Sequence, residues 1–199
     1  MTTIKPKLYF VTENTNKFNE ANEILQQLNC KYQLVQLKLD LPELQGTSDE
    51  ISYQKALKAE KLLRTAGYSD PFIIDDTGLH YNCLGGMPGP YIKWFLKAVG
   101  CDGLSKLSDS FDDKTAYAQC VITVMMNDIN DPVLLRGIVN GTIVQPRGQK
   151  SFGWDPVFEP FEEEGGNGQT YGEMSEEYKN GMSHRFKALK LLVDYLNDV

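Results

Sequence analysis

Residues 8–17 read LYFVTENTNK and join a strand pattern directly to a helix pattern. An apolar run ends at Val11, a polar cluster follows, and apolar residues then recur at helical spacing from Phe18. This junction is typical of α/β proteins, where it is a common place to bind a phosphate. Neither glycine-rich phosphate motif of such proteins occurs in the chain, so the junction alone does not establish what it binds.

The first half of the chain alternates strand and helix patterns. Strands are predicted over 7–12 and 32–39, and Thr47 with Glu50 fits a capping box that opens a helix. The segment PFIIDD predicts a short strand that ends at its two aspartates, and GGMPGPY predicts a loop. YIKWFLKAV then predicts another helix.

The second half has a different character. TAYAQCVITVMMN and VLLRGIVNGTIVQ are rich in β-branched residues and predict an antiparallel pair of strands. SFGWDPVFEP predicts a further short strand with loops, EEEGGNGQTYGE predicts a surface loop, and residues 186–196 predict a C-terminal helix. The interpretation is a single α/β domain over residues 1–199, with a mixed sheet and helices at both ends.

The composition is that of a globular protein with an acidic balance. Hydrophobic residues make up 41% and charged residues 24% of the 199 residues, and the net charge is −7. Nucleic-acid binding depends on basic residues that neutralise phosphates, so this balance disfavours it. No apolar run approaches the roughly 20 residues that span a bilayer, and the N-terminus lacks a signal-peptide pattern. We expect a cytoplasmic protein, with no membrane partner and with four reduced cysteines.

Three carboxylates suit a metal ion. Glu43 lies in the predicted loop LPELQG, and Asp75 and Asp76 directly follow the apolar FII. Mg²⁺ prefers such oxygen ligands and takes one or two carboxylates together with substrate phosphates. Solvated turn residues would give the same pattern, and for Glu43 alone that interpretation is the better one. Glu50 is a fourth candidate, but the capping box already explains it.

Four basic residues lie at similar boundaries of the predicted elements: Lys17, Lys55, Lys179 and Arg185. Each of them taken alone is typical of a surface charge. Together they could neutralise the phosphates of a nucleotide that one metal ion does not reach.

Two segments are candidates for binding a base. In SFGWDP, an aromatic face of Phe152 or Trp154 could stack on a base while Asp155 accepts from ring N–H groups, although both aromatic residues could equally be core residues of a strand. In GMSHRF, Ser183 is a candidate N-cap. His184 beside a cap is more often structural, but His and Arg donors could distinguish a 6-oxo purine from a 6-amino purine.

These segments together resemble one family. TENTNK, LPELQG, DDTGLHYNCLGGMPGPYIKWFL, SFGWDPVF and KNGMSHRFKAL occur in this order, and from about residue 8 to 192 the chain is similar to the inosine triphosphate pyrophosphatases, particularly eukaryotic ones. The resemblance implies an elongated mixed β-sheet with flanking helices and two lobes around a central nucleotide-binding cleft. It further implies a homodimer that uses Mg²⁺, with Mn²⁺ as a substitute, to hydrolyse ITP, dITP and XTP to the monophosphate and pyrophosphate.

The resemblance also implies roles for single residues. Glu43 and Asp76 would hold the metal, Asp75 would be a further metal residue, and Glu50 would lie nearby. Asp76, Glu43 and Lys17 would be catalytic. The residues that would bind the substrate, at its phosphates or at its base, are Thr12, Asn14, Lys17, Lys55, Phe152, Gly153, Trp154, Asp155, Lys179, Ser183, His184 and Arg185.

One residue departs from the family pattern. Members generally have glycine where this chain has Glu13, and a carboxylate that pointed inward would repel phosphate. We expect the Glu13 side chain to face solvent, which would leave the backbone of the loop available to a phosphate.

Two other functions stay open at this stage. A related pyrophosphatase could act on pyrimidine or modified nucleotides, although SFGWDP and SHR argue against it. A nucleotide-binding protein that no longer hydrolyses could be a sensor or scaffold, and Glu13 is the only residue that favours this hypothesis. A substrate panel would test the first, and binding without turnover would identify the second.

Overall fold

A computed structural model describes residues 5–127, 131–149 and 153–198 of the chain. The strands in these residues are β1 (Lys7–Val11), β2 (Gln33–Leu37), β3 (Phe72–Tyr81), β4 (Pro88–Gly89), β5 (Thr115–Met125), β6 (Val133–Ile143) and β7 (Phe158–Pro160). The α-helices are α1 (Thr15–Gln27), α2 (Ser48–Thr65), α3 (Ile92–Lys106), α4 (Glu176–Lys179) and α5 (His184–Asp198). None of the helices in this part of the chain is long and apolar enough to cross a membrane.

The strands join in one mixed sheet in the order β2-β1-β3-β5-β6-β7, and β4 pairs with β3 outside this path. β1 is parallel to β2 and β3, whereas β4 is antiparallel to β3 and β7 is antiparallel to β6. These observations confirm the predicted α/β fold with a mixed sheet and helices.

The chain divides into two compact units. Within the described residues, the first unit runs over 5–76, 121–127, 131–136 and 185–198, and the second over 77–120, 137–149 and 153–184. The prediction of a single domain over residues 1–199 is not tested by this division. The predicted nucleotide-binding cleft likewise stays a prediction.

The core of the first unit forms between α2 and strand residues that share a face. Ala56, Ala59 and Leu63 recur at helical spacing and form the apolar stripe of α2. They pack with Phe72 and Ile74 of β3, which point to one face because side chains alternate along a strand. Asp76 continues the same alternation, so it is the next side chain on the face that meets α2.

The core of the second unit is richer in aromatic residues. Trp154 packs edge-on against Phe158 at 5.8 Å between ring centroids, and the Phe158 and Tyr171 rings are 5.2 Å apart. The segment EEEGGNGQTYGE was expected to be a surface loop, and this is wrong for its end, since Thr170 and Tyr171 are buried. The ring of Tyr171 belongs to the core, and the Thr170 hydroxyl donates to the Arg147 carbonyl at 3.0 Å.

The strand predicted from PFIIDD is longer than expected. β3 continues to Tyr81, so Asp75 and Asp76 lie inside the strand and not at its end. The continuation is stable because Leu79 and Tyr81 are fully buried and because β4, inside the predicted loop GGMPGPY, pairs with it. Gly78 permits this pairing: a Cβ atom there would lie 3.0 Å from the Gly89 carbonyl carbon.

Candidate active site

The loop after β1 is held by its own polar side chains. Asn14 caps α1, since its Oδ1 accepts from the Lys17 backbone N–H at 3.1 Å, and Thr12 Oγ1 accepts from the Asn14 N–H at 3.1 Å. Glu13 is exposed, as expected. Among the described non-glycine residues only Asn29 has a positive φ, so position 13 does not require the conformational freedom of glycine.

Asp75 is the centre of a buried network of charges. Its Oδ1 accepts from Lys17 Nζ at 2.7 Å and its Oδ2 accepts from Arg185 Nε at 2.7 Å. Lys17 Nζ also donates to the Asp75 carbonyl at 3.0 Å, and Arg185 Nη1 donates to Glu20 Oε2 at 2.8 Å. Burial alone would raise the pKa of Asp75, but Arg185 and then Lys17 outweigh it and hold this pKa well below its usual value.

Asp76 meets a different set of partners, all from α2. Its Oδ1 accepts from Lys55 Nζ at 2.8 Å and its Oδ2 accepts from Ser52 Oγ at 2.6 Å. Lys55 Nζ is also 3.4 Å from Glu43 Oε2. Partial burial would lower the pKa of Lys55, but Asp76 and Glu43 together raise it, so the side chain is a stable cation.

The carboxylates of Glu43 and Asp76 fit a small cation. Both carboxylates lie against the Lys55 ammonium group, at 3.4 Å for Glu43 Oε2 and 2.8 Å for Asp76 Oδ1, and Mg²⁺ is commonly held by one or two carboxylates plus phosphates. Asp75 fits less well, because each of its oxygens already pairs with a cation. Among the described residues, no three His, Cys, Asp or Glu side chains are arranged to hold a metal. Glu50 is occupied in the capping box, where its Oε2 accepts from the Thr47 N–H at 2.9 Å.

In the second unit, Asp155 and Lys179 form a buried ion pair. Lys179 Nζ lies 2.6 Å from Asp155 Oδ2, and both side chains are less than one-tenth exposed. The Lys179 ammonium group also lies 5.6 Å from the centre of the Tyr171 ring. α4, which ends at Lys179, is capped by the side chain of Ser175, and this local structure places the lysine.

His184 packs against two aromatic rings of the second unit. Its ring centroid is 5.4 Å from that of Trp154 and 5.8 Å from that of Tyr171, the latter nearly parallel at 18°. Gly153 has φ +56°, a conformation that glycine adopts readily, and its carbonyl accepts from Cys101 Sγ at 3.5 Å. Ser183 is buried and precedes α5 directly, while Phe152 lies outside the described residues.

The structure groups the candidates by unit, and sequence reasoning missed three partners. The first unit brings together Lys17, Asp75 and Arg185, and separately Glu43, Lys55 and Asp76. The second brings together Trp154, Asp155, Lys179 and His184. The partners that were missed are Glu20, Ser52 and Tyr171. Helical spacing could have indicated the first two, since Glu20 follows Lys17 by three residues and Ser52 precedes Lys55 by three.

Fold and site together define an α/β protein with charged clusters at one sheet strand and an aromatic cluster around a buried ion pair. The model of the Ham1 family matches residues 8–195, nearly the whole chain. The chain belongs to the Ham1 family.

Three fungal relatives named inosine triphosphate pyrophosphatase are similar to this chain over almost their full length. The protein of Mycosarcoma maydis is 45% identical over 96% of this chain and 95% of its own. The proteins of Batrachochytrium dendrobatidis and Tuber melanosporum are 44% and 43% identical, over 92% and 96% of their own length and 94% and 95% of this chain.

Solved structures show the same fold. The Ham1 protein of Staphylococcus aureus is 25% identical and matches with a TM-score of 0.78 over 96% of this chain and 98% of its own. A HAM1 protein from Coxiella burnetii, 24% identical, matches with a TM-score of 0.80 over 98% of this chain and all of its own, which shows the fold alone.

Proposed function

We propose that this protein hydrolyses the non-canonical purine nucleoside triphosphates ITP, dITP and XTP to the monophosphate and pyrophosphate, and so cleanses the nucleotide pool. The names of relatives 43–45% identical to this chain support the substrate class. The structural observation that carries the proposal is the cluster of Glu43, Lys55 and Asp76, which unites the carboxylates and the cation that triphosphate chemistry requires.

The reaction is a displacement at the α-phosphorus. Water forms a new bond to this phosphorus, its proton passes to a neighbouring carboxylate, and the bond to the bridging oxygen breaks so that pyrophosphate leaves with the electron pair. Glu43 and Asp76 would hold Mg²⁺ or, as a substitute, Mn²⁺. When bound, the metal neutralises phosphate charge and polarises the phosphate oxygens.

The chain's own cations and loop groups orient the phosphates. Lys17 and Lys55 are held at fixed positions by Asp75 and Asp76, so they need little reorganisation to stabilise charge that builds on the phosphates. Thr12 and Asn14 order the loop before α1, whose backbone N–H groups favour an anion. We propose that Asp75 positions Lys17 and Arg185 and is not a ligand of the metal.

Residues of the segments SFGWDP and SHR would bind the base. Phe152 would stack on the purine, and Trp154, next to Gly153, would shape the pocket. Asp155, held by Lys179, would accept from the base edge, and the charge of Lys179 would help to neutralise the phosphates. His184, which follows Ser183, and Arg185 would donate to the 6-oxo group. ATP would place an amino donor against those donors, and such a mismatch can lower kcat/KM by about 10⁴.

The assembly and location of the protein are further parts of the proposal. We propose a cytoplasmic homodimer that binds no nucleic acid, on the basis of the family resemblance and of the net charge of −7. Light scattering after size exclusion would give the mass of the assembly, and a monomer would contradict the proposal.

A phosphorus NMR time course tests the reaction. The protein is incubated in ¹⁸O-labelled water with ITP and then with ATP, with and without Mg²⁺. We expect Mg²⁺-dependent conversion of ITP to pyrophosphate and IMP that carries the label, with ATP nearly unchanged. Label in pyrophosphate would place the attack at the β-phosphorus, and orthophosphate would place it at the γ-phosphorus. Binding of ITP without turnover would favour a sensor.

A further inference from the structure

Ser52 is a buried hydroxyl directed at a candidate metal ligand. It lies in the second turn of α2, is fully buried, and donates from Oγ to Asp76 Oδ2 at 2.6 Å. Lys55, three residues further along the same helix, holds Oδ1 of the same carboxylate at 2.8 Å. Residues three apart are neighbours on a helix surface, so one face of α2 donates hydrogen bonds to both carboxylate oxygens of Asp76.

These two hydrogen bonds hold the Asp76 carboxylate and leave lone-pair sites of its oxygens available to a metal. An ionised carboxylate has about four lone-pair sites, and Ser52 and Lys55 occupy one each. A hydrogen bond to a charged acceptor is shorter and stronger than one between neutral groups, and 2.6 Å between Oγ and Oδ2 is in that short range. The carboxylate plane is therefore set before any ligand arrives.

Lys55 alone would set this plane less well. An ammonium group is a point charge without a planar donor geometry, and Lys55 Nζ also lies 3.4 Å from Glu43, so its contact with Asp76 does not by itself fix the carboxylate plane. The serine hydroxyl is short, fully buried and has Asp76 as its acceptor. Partners that orient a metal ligand typically affect metal affinity or activity about 10- to 100-fold when they are removed.

We infer that Ser52 is a positioning residue that orients Asp76 for metal binding. The inference rests on the proposed function, because it assumes that Asp76 is a ligand of Mg²⁺. Ser52 has no direct part in the chemistry and acts through the carboxylate that it holds.

The test compares Ser52→Ala, Ser52→Cys and Ser48→Ala. Cysteine fills nearly the volume of serine but is a weak donor, so it separates packing from hydrogen bonding. Ser48 is the matched control, since it lies on the same helix with a buried hydroxyl that has no hydrogen-bond partner among the described residues. Binding of Mn²⁺ alone is measured by electron paramagnetic resonance, kcat and KM are measured with ITP, and melting temperatures establish folding.

We expect Ser52→Ala and Ser52→Cys to weaken Mn²⁺ binding and to lower kcat, each by about 10- to 100-fold, with KM for ITP changed much less. Ser48→Ala should match the wild type in Mn²⁺ affinity, kcat and KM. If Ser52→Cys binds Mn²⁺ with wild-type affinity, the inference is wrong. If Ser52→Ala also has a lowered melting temperature, Ser52 contributes only to packing. Absence of ITP hydrolysis by the wild type would refute the proposed function instead, while the Mn²⁺ comparison would still decide the role of Ser52.

Discussion

Asp75 and Asp76 are adjacent and chemically identical, yet they have different partners. Successive side chains of a strand point to opposite faces. Asp75 therefore meets Lys17 of α1 and Arg185 of α5, whereas Asp76 meets residues of α2. Two carboxylates on opposite faces are poorly placed to share one metal ion, which is a physical reason to divide their roles.

Asp75→Asn is expected to destabilise the protein. The substitution removes one of the two carboxylates that pair with the fully buried Arg185, the other being that of Glu20, and breaking one side of a buried ion pair typically lowers the free energy of unfolding by about 3–5 kcal/mol. Urea unfolding at pH 7 measures this loss, and the exposed Asp112 offers a matched control as Asp112→Asn, which should change the free energy of unfolding little.

The loss of unfolding free energy caused by Asp75→Asn should become smaller as the pH falls. The pKa of Asp75 in the folded protein lies well below its unfolded value of 3.8. The stabilisation that the ionised side chain gives is therefore fully present above pH 3.8 and is lost as the pH falls through the folded pKa. The difference in unfolding free energy between wild type and Asp75→Asn should therefore be constant near neutral pH and narrow in acid. A difference that grows as the pH falls below 3.8 would contradict the charge network.

At the scale of elements, α2 links stability to the site. One of its faces packs Ala56, Ala59 and Leu63 into the core of the first unit, and its second and third turns present Ser52 and Lys55 to Asp76. The helix begins at a complete capping box, which fixes where its first turns lie. The core face and the cap together therefore place Ser52 and Lys55 beside Asp76.

Thr47→Ala is expected to lower the free energy of unfolding by about 1 kcal/mol, because it removes the hydroxyl that accepts from the Glu50 N–H. The activity at 25 °C should stay within about threefold of the wild type, since the core face of α2 still holds the helix. Thermal unfolding and kcat with ITP measure both effects. A large loss of activity in a fully folded variant would show that the first turn has a direct role in the site.

Local signals in the sequence predicted most elements, because each has its own spacing or cap. The capping box at Thr47 and the helix signalled by the apolar spacing from Phe18 both follow from residues three or four apart. The extension of β3 and the burial of Tyr171 were not predictable in this way, since they depend on β4 and on aromatic rings distant in sequence. The carboxylates were identified by residue type, but their separate partners follow from tertiary packing.

At the scale of the whole molecule, each unit has its own core and its own type of candidate residue. The first unit holds charged pairs suited to phosphates and a metal, namely those of Lys17, Lys55, Asp75 and Asp76. The second holds an aromatic cluster and the buried pair of Asp155 and Lys179, which suit a base edge. Under the proposed function, catalysis and base selection would therefore be separable by substitution.

Asp76→Asn and Asp155→Asn should change different quantities. Under the proposed function, Asp76→Asn would remove a ligand of the metal, so kcat should fall by about 10² or more with ITP and by a similar factor with ATP. Under the same proposal, Asp155→Asn should mainly lower the ratio of kcat/KM for ITP over that for ATP, by about tenfold or more, because it would alter a contact to the base edge. The melting temperatures of both variants are measured as well, because Asp155 compensates the charge of the buried Lys179 and its loss can destabilise the protein. Equal losses with ITP and ATP in a folded Asp155→Asn variant would mean that this residue does not read the base.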